Sequence, residues 1–392
     1  MFYFINASKM KIGFDAKRAY HNTTGLGNYS RTLIQSLAEF YPEHEYFLFN
    51  PKASSQYNFA NSNLHEILPT NFKSKIFKSA WRSNWVTKDI STLKIDLYHG
   101  LSHEIPVGIK KTGSKSVVTI HDLIHERYPN QFKAIDRKIY TQKYKHACNN
   151  ADKIIAISLQ TKQDLIDYYH VDEKKISVCY QSCSPAFEKK ASQLDKDSII
   201  AKYNLPAKFF LYVGTINERK NLLNICKAVL AIRDELNIPL VVVGKGSTYK
   251  EKVLKFVADN NLQKDIIFLS YKAEASTIKD FLSTADLAII NQIALAMIYP
   301  SFFEGFGLPI VEALWSGLPV ITSNVSCMPE VGADAAYYVN PNNANEIAAG
   351  MIKIYSDEKF ANDMKECGFI QVKKFTIDKC VNSVMDVYTS IC

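Results

Sequence analysis

Glu304-Gly305-Phe306-Gly307-Leu308-Pro309-Ile310-Val311-Glu312 sets two carboxylates and a glycine loop around the start of a helix. Upstream, Ala296 to Tyr299 has the composition of a short buried strand, and Pro300-Ser301 ends it. Downstream, Pro309 fits the first helical position, where its missing N–H costs nothing, and Gly317 fits the residue just past the helix end. Ile310 to Ser316 is therefore expected as a short helix and Leu318 to Ser323 as a second buried strand. The result is a β-loop-α-β unit whose loop lies at a strand's carboxyl end, where open α/β sheets bind ligands. Gly305 and Gly307 let the backbone approach a ligand closely, and the helix start offers unpaired N–H groups and a positive dipole end to an anion. A carboxylate beside a phosphate would repel it, so Glu304 and Glu312 are expected to face hydroxyl groups. Taken in isolation, the pair reads first as a turn residue and a partner for the helix dipole.

The same alternation runs along the chain. Lys11 to Phe14, Glu45 to Asn50, Leu97 to Gly100, Ser116 to Ile120 and Ile154 to Ser158 read as strands. Gly25-Leu26-Gly27 reads as a loop, and Tyr29 to Tyr41 as an amphipathic helix. The pattern weakens around Pro185, which places a linker there. A second series follows at Phe209 to Gly214, Leu240 to Gly244, Ile266 to Ser270, Ala296 to Tyr299 and Pro319 to Ser323. Helices are expected between them at Leu222 to Leu236, Tyr249 to Asn260 and Ala275 to Phe281. A length of 392 residues suits two domains. The expected division is residues 1–185 and 186–376, each Rossmann-like, followed by a last helix over 377–392.

Composition narrows the class further. With 47% hydrophobic and 22% charged residues the chain is globular, and no apolar run reaches the ~18 residues needed to span a bilayer. No secretory signal is apparent, which points to the cytoplasm. Met10-Lys11-Ile12-Gly13-Phe14-Asp15 looks like a usual domain opening, which makes residues 1–9 an upstream extension. Eight cysteines and nine histidines are scattered without metal-ligand spacing, so neither a structural metal nor a disulfide framework is expected. Residues 1–190 hold 27 Lys and Arg against 17 Asp and Glu, while the remainder holds 20 against 22. A one-sided basic field suits an anionic partner such as a membrane surface or a lipid-phosphate. Phe72 to Val86, with Phe72, Ile76, Phe77, Ala80 and Trp81 among Lys73, Lys75, Lys78 and Arg82, reads first as an ordinary surface helix with its apolar face on the core, and is also a candidate membrane-surface element, at the inner face of a membrane, or acceptor-channel element.

Other candidates sit at strand ends. Gly214-Thr215-Ile216-Asn217-Glu218-Arg219-Lys220 follows one strand, with Arg219 and Lys220 suited to clamp a diphosphate. Thr119-Ile120-His121-Asp122-Leu123 ends another, with His121 the candidate and Asp122 a loop-orienting residue. His99-Gly100-Leu101-Ser102-His103-Glu104 ends a third and is a weaker candidate for the acceptor side.

Tyr299-Pro300-Ser301-Phe302-Phe303-Glu304-Gly305-Phe306-Gly307-Leu308-Pro309, with Glu312-Ala313, Ser316-Gly317 and Pro319-Val320-Ile321, resembles the signature of the family 4 retaining glycosyltransferases. The resemblance implies the α/β GT-B fold, two Rossmann-like domains facing across a cleft, with the last helix crossing back onto the first domain. It implies that the C-terminal domain holds a nucleotide-diphosphate sugar, such as a GDP- or UDP-sugar. Glu304 would then contact the transferred sugar and Glu312 the ribose, while the Gly305, Phe306, Gly307 and Leu308 amides serve the sugar and diphosphate. Gly214 and Thr215 would line the donor, Gly25 and Gly27 would lie over its phosphates, and His121 would reach its sugar. Glu330 resembles a late-loop element near the donor. Many relatives carry Arg directly after the glycine where Thr215 stands, so the cationic role rests on Arg219 and Lys220.

The implied reaction moves a sugar, with mannose a family-level expectation, to a glycan or lipid-linked acceptor in surface polysaccharide synthesis. Retention of configuration, no cofactor and no metal are expected. A non-catalytic nucleotide-sugar or glycan-binding homologue would keep the fold and lose the cations, yet Arg219, Lys220, Glu304 and Glu312 are all present. A dinucleotide-dependent oxidoreductase would need a fingerprint that neither Gly25-Leu26-Gly27 nor Gly244-Lys245-Gly246 completes. Nucleic-acid binding lacks an aromatic-rich recognition motif.

Overall fold

Among the described residues, seven short strands build the first sheet: β1 (Lys11–Asp15), β2 (Glu45–Phe49), β3 (Leu64–Ile67), β4 (Leu97–Gly100), β5 (Lys115–Ile120), β6 (Lys153–Ala156) and β7 (Ile176–Val178). They pair in parallel in the order β3-β2-β1-β4-β5-β6-β7. This is a computed structural model, and it describes residues 9–55, 57–246, 248–269 and 282–392. The expected helix over Ala275 to Phe281, the end of the strand at Ser270 and most of the N-terminal extension lie outside the described residues.

Parallel strands need crossovers that cover both faces, so neighbouring side chains on one strand feed two different cores. Val117 of β5 packs with the helix Gly25–Phe40, whereas Val118 packs with Trp81, Ile90 and Leu165 on the other face. The last helix, Ile377–Thr389, lies on the Val117 side and contributes Val381, Val384, Met385, Val387 and Tyr388 to that core. Its Tyr388 hydroxyl meets His99 Nδ1 at 2.6 Å, and Tyr41 donates to Asn382 at 2.8 Å. The first compact unit thus runs to Ser182 and resumes at Ile377–Cys392, and the second is Cys183–Thr376.

The second sheet contains β8 (Phe210–Val213), β9 (Leu240–Val243), β10 (Ile266–Phe268), β11 (Met297–Tyr299), β12 (Val320–Ser323) and β13 (Ala336–Val339), parallel in the order β10-β9-β8-β11-β12-β13. Both sheets have one switch point, where the chain leaves the sheet's middle in one direction and returns on the other side. It lies between β1 and β4 in the first sheet and between β8 and β11 in the second. Two glycines of the second unit are explained by loop crossing: a side chain at Gly244 would strike the Gly214 carbonyl, and one at Gly246 would strike that of Ile216.

Three expectations are corrected. Gly25-Leu26-Gly27 is the first turn of the helix Gly25–Phe40, because Thr24 caps it in extended conformation. The motif helix runs from Leu308 to Trp315 and begins two residues before the expected start at Ile310, since Gly307 at φ 92° turns the chain in. The stretch from Phe72 to Val86 is no single amphipathic helix. It breaks into Phe72–Ile76, Lys78–Ala80 and a wider turn Trp81–Trp85, which buries Trp81 and leaves Phe72, Ile76, Phe77 and Trp85 exposed.

Candidate active site

The second sheet's switch point collects the charged residues. After β8 the chain forms a tight turn, Glu218–Lys220, capped by Asn217, whose side chain accepts from the Lys220 N–H at 3.1 Å. Asn221 follows in the left-handed region at φ 63°, and its buried amide donates to the carbonyls of Pro300 (3.0 Å) and Pro341 (2.6 Å). That ties the turn to the loop after the adjacent strand β11. Phe302 N–H donates to Arg219 carbonyl oxygen at 2.8 Å, and Arg219 donates from its guanidinium to the Phe303 carbonyl at 2.5 Å. On the other side Ser326 donates to the Glu304 carbonyl at 2.8 Å and Ser323 to that of Ser301.

Held this way, Glu304 is buried between both cations. Arg219 Nη1 lies 2.7 Å from one carboxylate oxygen, and Lys220 Nζ 2.6 Å from the other. Lys220 also donates to the Tyr299 hydroxyl, and a side chain at Gly214 would lie 3.7 Å from the Lys220 stem. Burial would raise the Glu304 carboxyl, but Lys220 and Arg219 outweigh it and hold it near about 2. The Lys220 ammonium is pushed down by burial and only partly restored by Glu304. Two cations against one carboxylate leave a net positive charge in a poorly solvated place.

The helix Leu308–Trp315 starts beside this cluster, and its first-turn amides and positive dipole end add to that charge. Phe306 is itself core, edge-on to Phe375 at 5.5 Å, so any ligand contact from it is through the backbone. Glu312 lies half-buried on the helix with no hydrogen-bond or ion-pair partner for its carboxylate among the described residues, and burial pushes it up to about 8. A carboxyl titrating there can accept from hydroxyl groups or donate to one. Thr215 is exposed, and its carbonyl accepts from Tyr212 at 3.2 Å.

Gly25, Gly27 and His121 belong to the first unit. A side chain at Gly27 would strike the Asn22 carbonyl, whereas Gly25 faces open space. Tyr29, one turn on, sets its ring edge-on to His121 at 4.7 Å and its hydroxyl 3.1 Å from Thr119. His121 is buried, with Nε2 2.9 Å from the Leu101 carbonyl and Nδ1 3.2 Å from the Gln181 amide nitrogen. Only the tautomer with hydrogen on Nε2 satisfies both, and burial pushes the ring down to about 4, so it is neutral. Asp122 accepts from the Ile124 N–H at 3.1 Å and shapes the loop. His99 is taken up by Tyr388 and by Thr119 at 2.8 Å, within the core and away from the acceptor role considered for its segment. Sequence reading assigned no role to Tyr299, Asn221, Ser323 and Ser326, polar residues that hold Lys220, its turn and the loop bearing Glu304 in place.

Among the described residues, no group of three His, Cys, Asp or Glu side chains is placed to hold a metal ion, and no helix is long and apolar enough to cross a membrane.

A family model described as glycosyl transferases group 1 matches residues 195–369, and one described as glycosyltransferase family 4 matches residues 23–184. The chain belongs to the family 4, group 1 glycosyltransferases. This glycosyltransferase is 26% identical over 397 residues to O-antigen chain mannosyltransferase B of Escherichia coli, covering 97% of this chain and 99% of that one. It is 26% identical over 309 residues to the UDP-Gal:alpha-D-GlcNAc-diphosphoundecaprenol alpha-1,3-galactosyltransferase of Escherichia coli, covering 75% of each. The structure of Anabaena Alr3699/HepE in complex with UDP-glucose matches with a TM-score of 0.71 at 15% identity, over 97% of this chain and 100% of that chain. The fold of this glycosyltransferase is GT-B.

Proposed function

We propose that this glycosyltransferase moves mannose from a nucleotide-diphosphate mannose to a hydroxyl of a glycan or lipid-linked acceptor in surface polysaccharide synthesis, with retention and without a metal ion. The buried Arg219–Glu304–Lys220 cluster at the switch point carries the reading. As the anomeric bond to diphosphate breaks, negative charge grows on the leaving oxygen, and positive groups already in place stabilise it without reorganising. Arg219, Lys220 and the start of the helix after Gly307 supply that charge. Glu304 holds both cations and positions or polarises the sugar, and Glu312 takes the ribose hydroxyls. The amides of Gly305 to Leu308, with Gly214 and Thr215, line the donor within the second unit. The acceptor proton passes to the departing phosphate during attack on the same face. Mannose and the polysaccharide setting rest on the name of the full-length relative, and the lipid-linked acceptor on that of the galactosyltransferase.

Incubation with a panel of GDP-, UDP- and ADP-sugars, each with and without EDTA, tests this. Release of GDP from GDP-mannose, unchanged by EDTA and with an α-anomeric product by NMR, is expected. Hydrolysis or transfer from no member of the panel would favour a binding homologue, and loss of turnover in EDTA would overturn the metal-independent reading.

The exposed Phe72, Ile76, Phe77 and Trp85, beside Lys73, Lys75 and Lys78, support a peripheral contact with anionic membrane from the cytoplasmic side. Flotation with phosphatidylglycerol liposomes is expected at low salt and should fade as salt rises. Equal flotation with neutral liposomes would point to another surface, and none at low salt would remove the contact.

A further inference from the structure

The first sheet has its own switch point between β1 and β4, and the residues that meet there are unlike those of the second. Asp15 ends β1 and Glu104 follows β4, and both bind Arg82: its Nε lies 2.8 Å from Asp15 and its Nη1 3.0 Å from Glu104. Lys143 reaches Glu104 at 3.1 Å. The two carboxylates are thereby engaged in fixing the guanidinium in place. Around it opens a cavity of about 280 Å³, walled by Lys17, Lys52, Lys78, Arg82 and Lys143, with His21 at its side. Lys17, Lys52 and Lys78 have no carboxylate within ion-pair distance among the described residues. The Lys17 ammonium is pushed down by burial, then by Arg82 and Arg18 beside it.

Five cations from four separate segments, converging with two carboxylates between them, repel one another unless an anion joins them. A surface that only needed solubility would spread such charges apart. We propose that this cavity is an anion subsite that binds a phosphate or diphosphate group carried by the acceptor. Its ligand chemistry is that of a phosphate or diphosphate group: the lysines offer adaptable point charges, and Arg82, whose three nitrogens are all held by Asp15 and Glu104, adds a fixed positive charge. It lies at the carboxyl ends of β1 and β2, beside the switch point between β1 and β4, on the edge where open parallel sheets take ligands. The segment that supplies Lys78 and Arg82 also exposes Phe77 and Trp85, whose rings meet at 6.4 Å, so an apolar group joined to the phosphate would find a surface beside it. That the ligand is the acceptor rests on the transferase reading above; that it is an anion does not.

The test uses the full chain carrying Arg219→Ala, which removes a competing diphosphate contact in the second unit, with and without Lys52→Ala and Lys78→Ala. Calorimetric titration with inorganic pyrophosphate, geranyl diphosphate and geraniol is expected to show diphosphate binding that the two lysine changes weaken at least tenfold, and none with geraniol. Tighter binding of geranyl diphosphate than of pyrophosphate would support a lipid-linked phosphate, and equal binding a free one. Unchanged affinity in the lysine variant at an unchanged melting temperature, or geraniol binding as well as its diphosphate, would overturn the subsite. In a chain with Arg219 intact, the lysine changes should raise KM for a phosphate-bearing acceptor at least tenfold while kcat moves less than threefold. If no acceptor is glycosylated at all, the transferase reading fails while the calorimetry still decides the subsite.

Discussion

Replacing Arg219 with alanine is expected to lower turnover by about 10²–10³-fold, the range seen when one preorganised group facing a developing oxyanion is lost. The guanidinium holds the Phe303 carbonyl at 2.5 Å and Glu304 at 2.7 Å, so its loss removes charge at the leaving group and also loosens the loop. Arg219→Lys separates the two effects, because it restores the charge without the fork. Intermediate turnover with a wild-type melting temperature would assign the loss to electrostatics. Glu304→Gln tests the same cluster from the other side. It leaves Lys220 in a buried site without the carboxylate that now raises its pKa, so the ammonium should give up its proton at lower pH. A falling alkaline limb in kcat, moved to lower pH than in wild type, is the expected signature, while nucleotide affinity stays nearly unchanged. Turnover within threefold of wild type in both Arg219→Ala and Glu304→Gln would remove the cluster from the mechanism.

The first unit is expected to lose stability between pH 6.5 and about 4.5, before most carboxylates titrate. His99, His103 and His121 are all buried, and burial pushes His99 down to about 3, His103 well down and His121 to about 4. An unfolded chain binds protons at these rings from about pH 6.5 downward. Since the folded form has the lower pKa, the unfolded state takes up more protons as pH falls, and stability present above pH 6.5 is lost on the way down. For His121 alone a shift of that size is worth on the order of 3 kcal/mol once pH falls below the folded value. A melting temperature lower by roughly 10 °C at pH 5 than at pH 7.5 is expected for such losses in a unit of this size. A flat profile across that interval would mean that these rings are hydrated or protonated in the folded chain.

The parts of the fold that were legible in the sequence are those buried on two sides. The central strand β9 is an unbroken apolar run, and β5 and β12 are carried by Val117, Val118 and Ile120 and by Val320 and Ile321, because helices cover both faces of a parallel sheet. The strands that escaped notice, β3, β7 and β13, are all at sheet edges and partly exposed, so their residues carry no continuous apolar signal. The donor-side motif could be read because its glycines, proline and carboxylates lie within one short segment. That Arg219 and Lys220 would close on Glu304 could not, since their meeting depends on β8 and β11 being neighbours although far apart in the chain. The anion pocket was visible only as a basic excess. Its five cations come from the segments that follow β1 and β2, the broken helix around Trp81 and the helix Ala134–Asn150, and no local pattern joins them.

The last helix completes the first unit's core with Val381, Val384 and Tyr388, yet these residues follow the whole of the second unit in the chain. During synthesis at ~5–20 residues per second, the first sheet must therefore wait on the order of ten to forty seconds for the side chains that cover one of its faces. Until then the helix Gly25–Phe40 and His99 stand beside an open apolar groove. The order of birth is thus inverted: the unit begun first is the one finished last, and in the interval its uncovered face is the part of the nascent chain most in need of a chaperone.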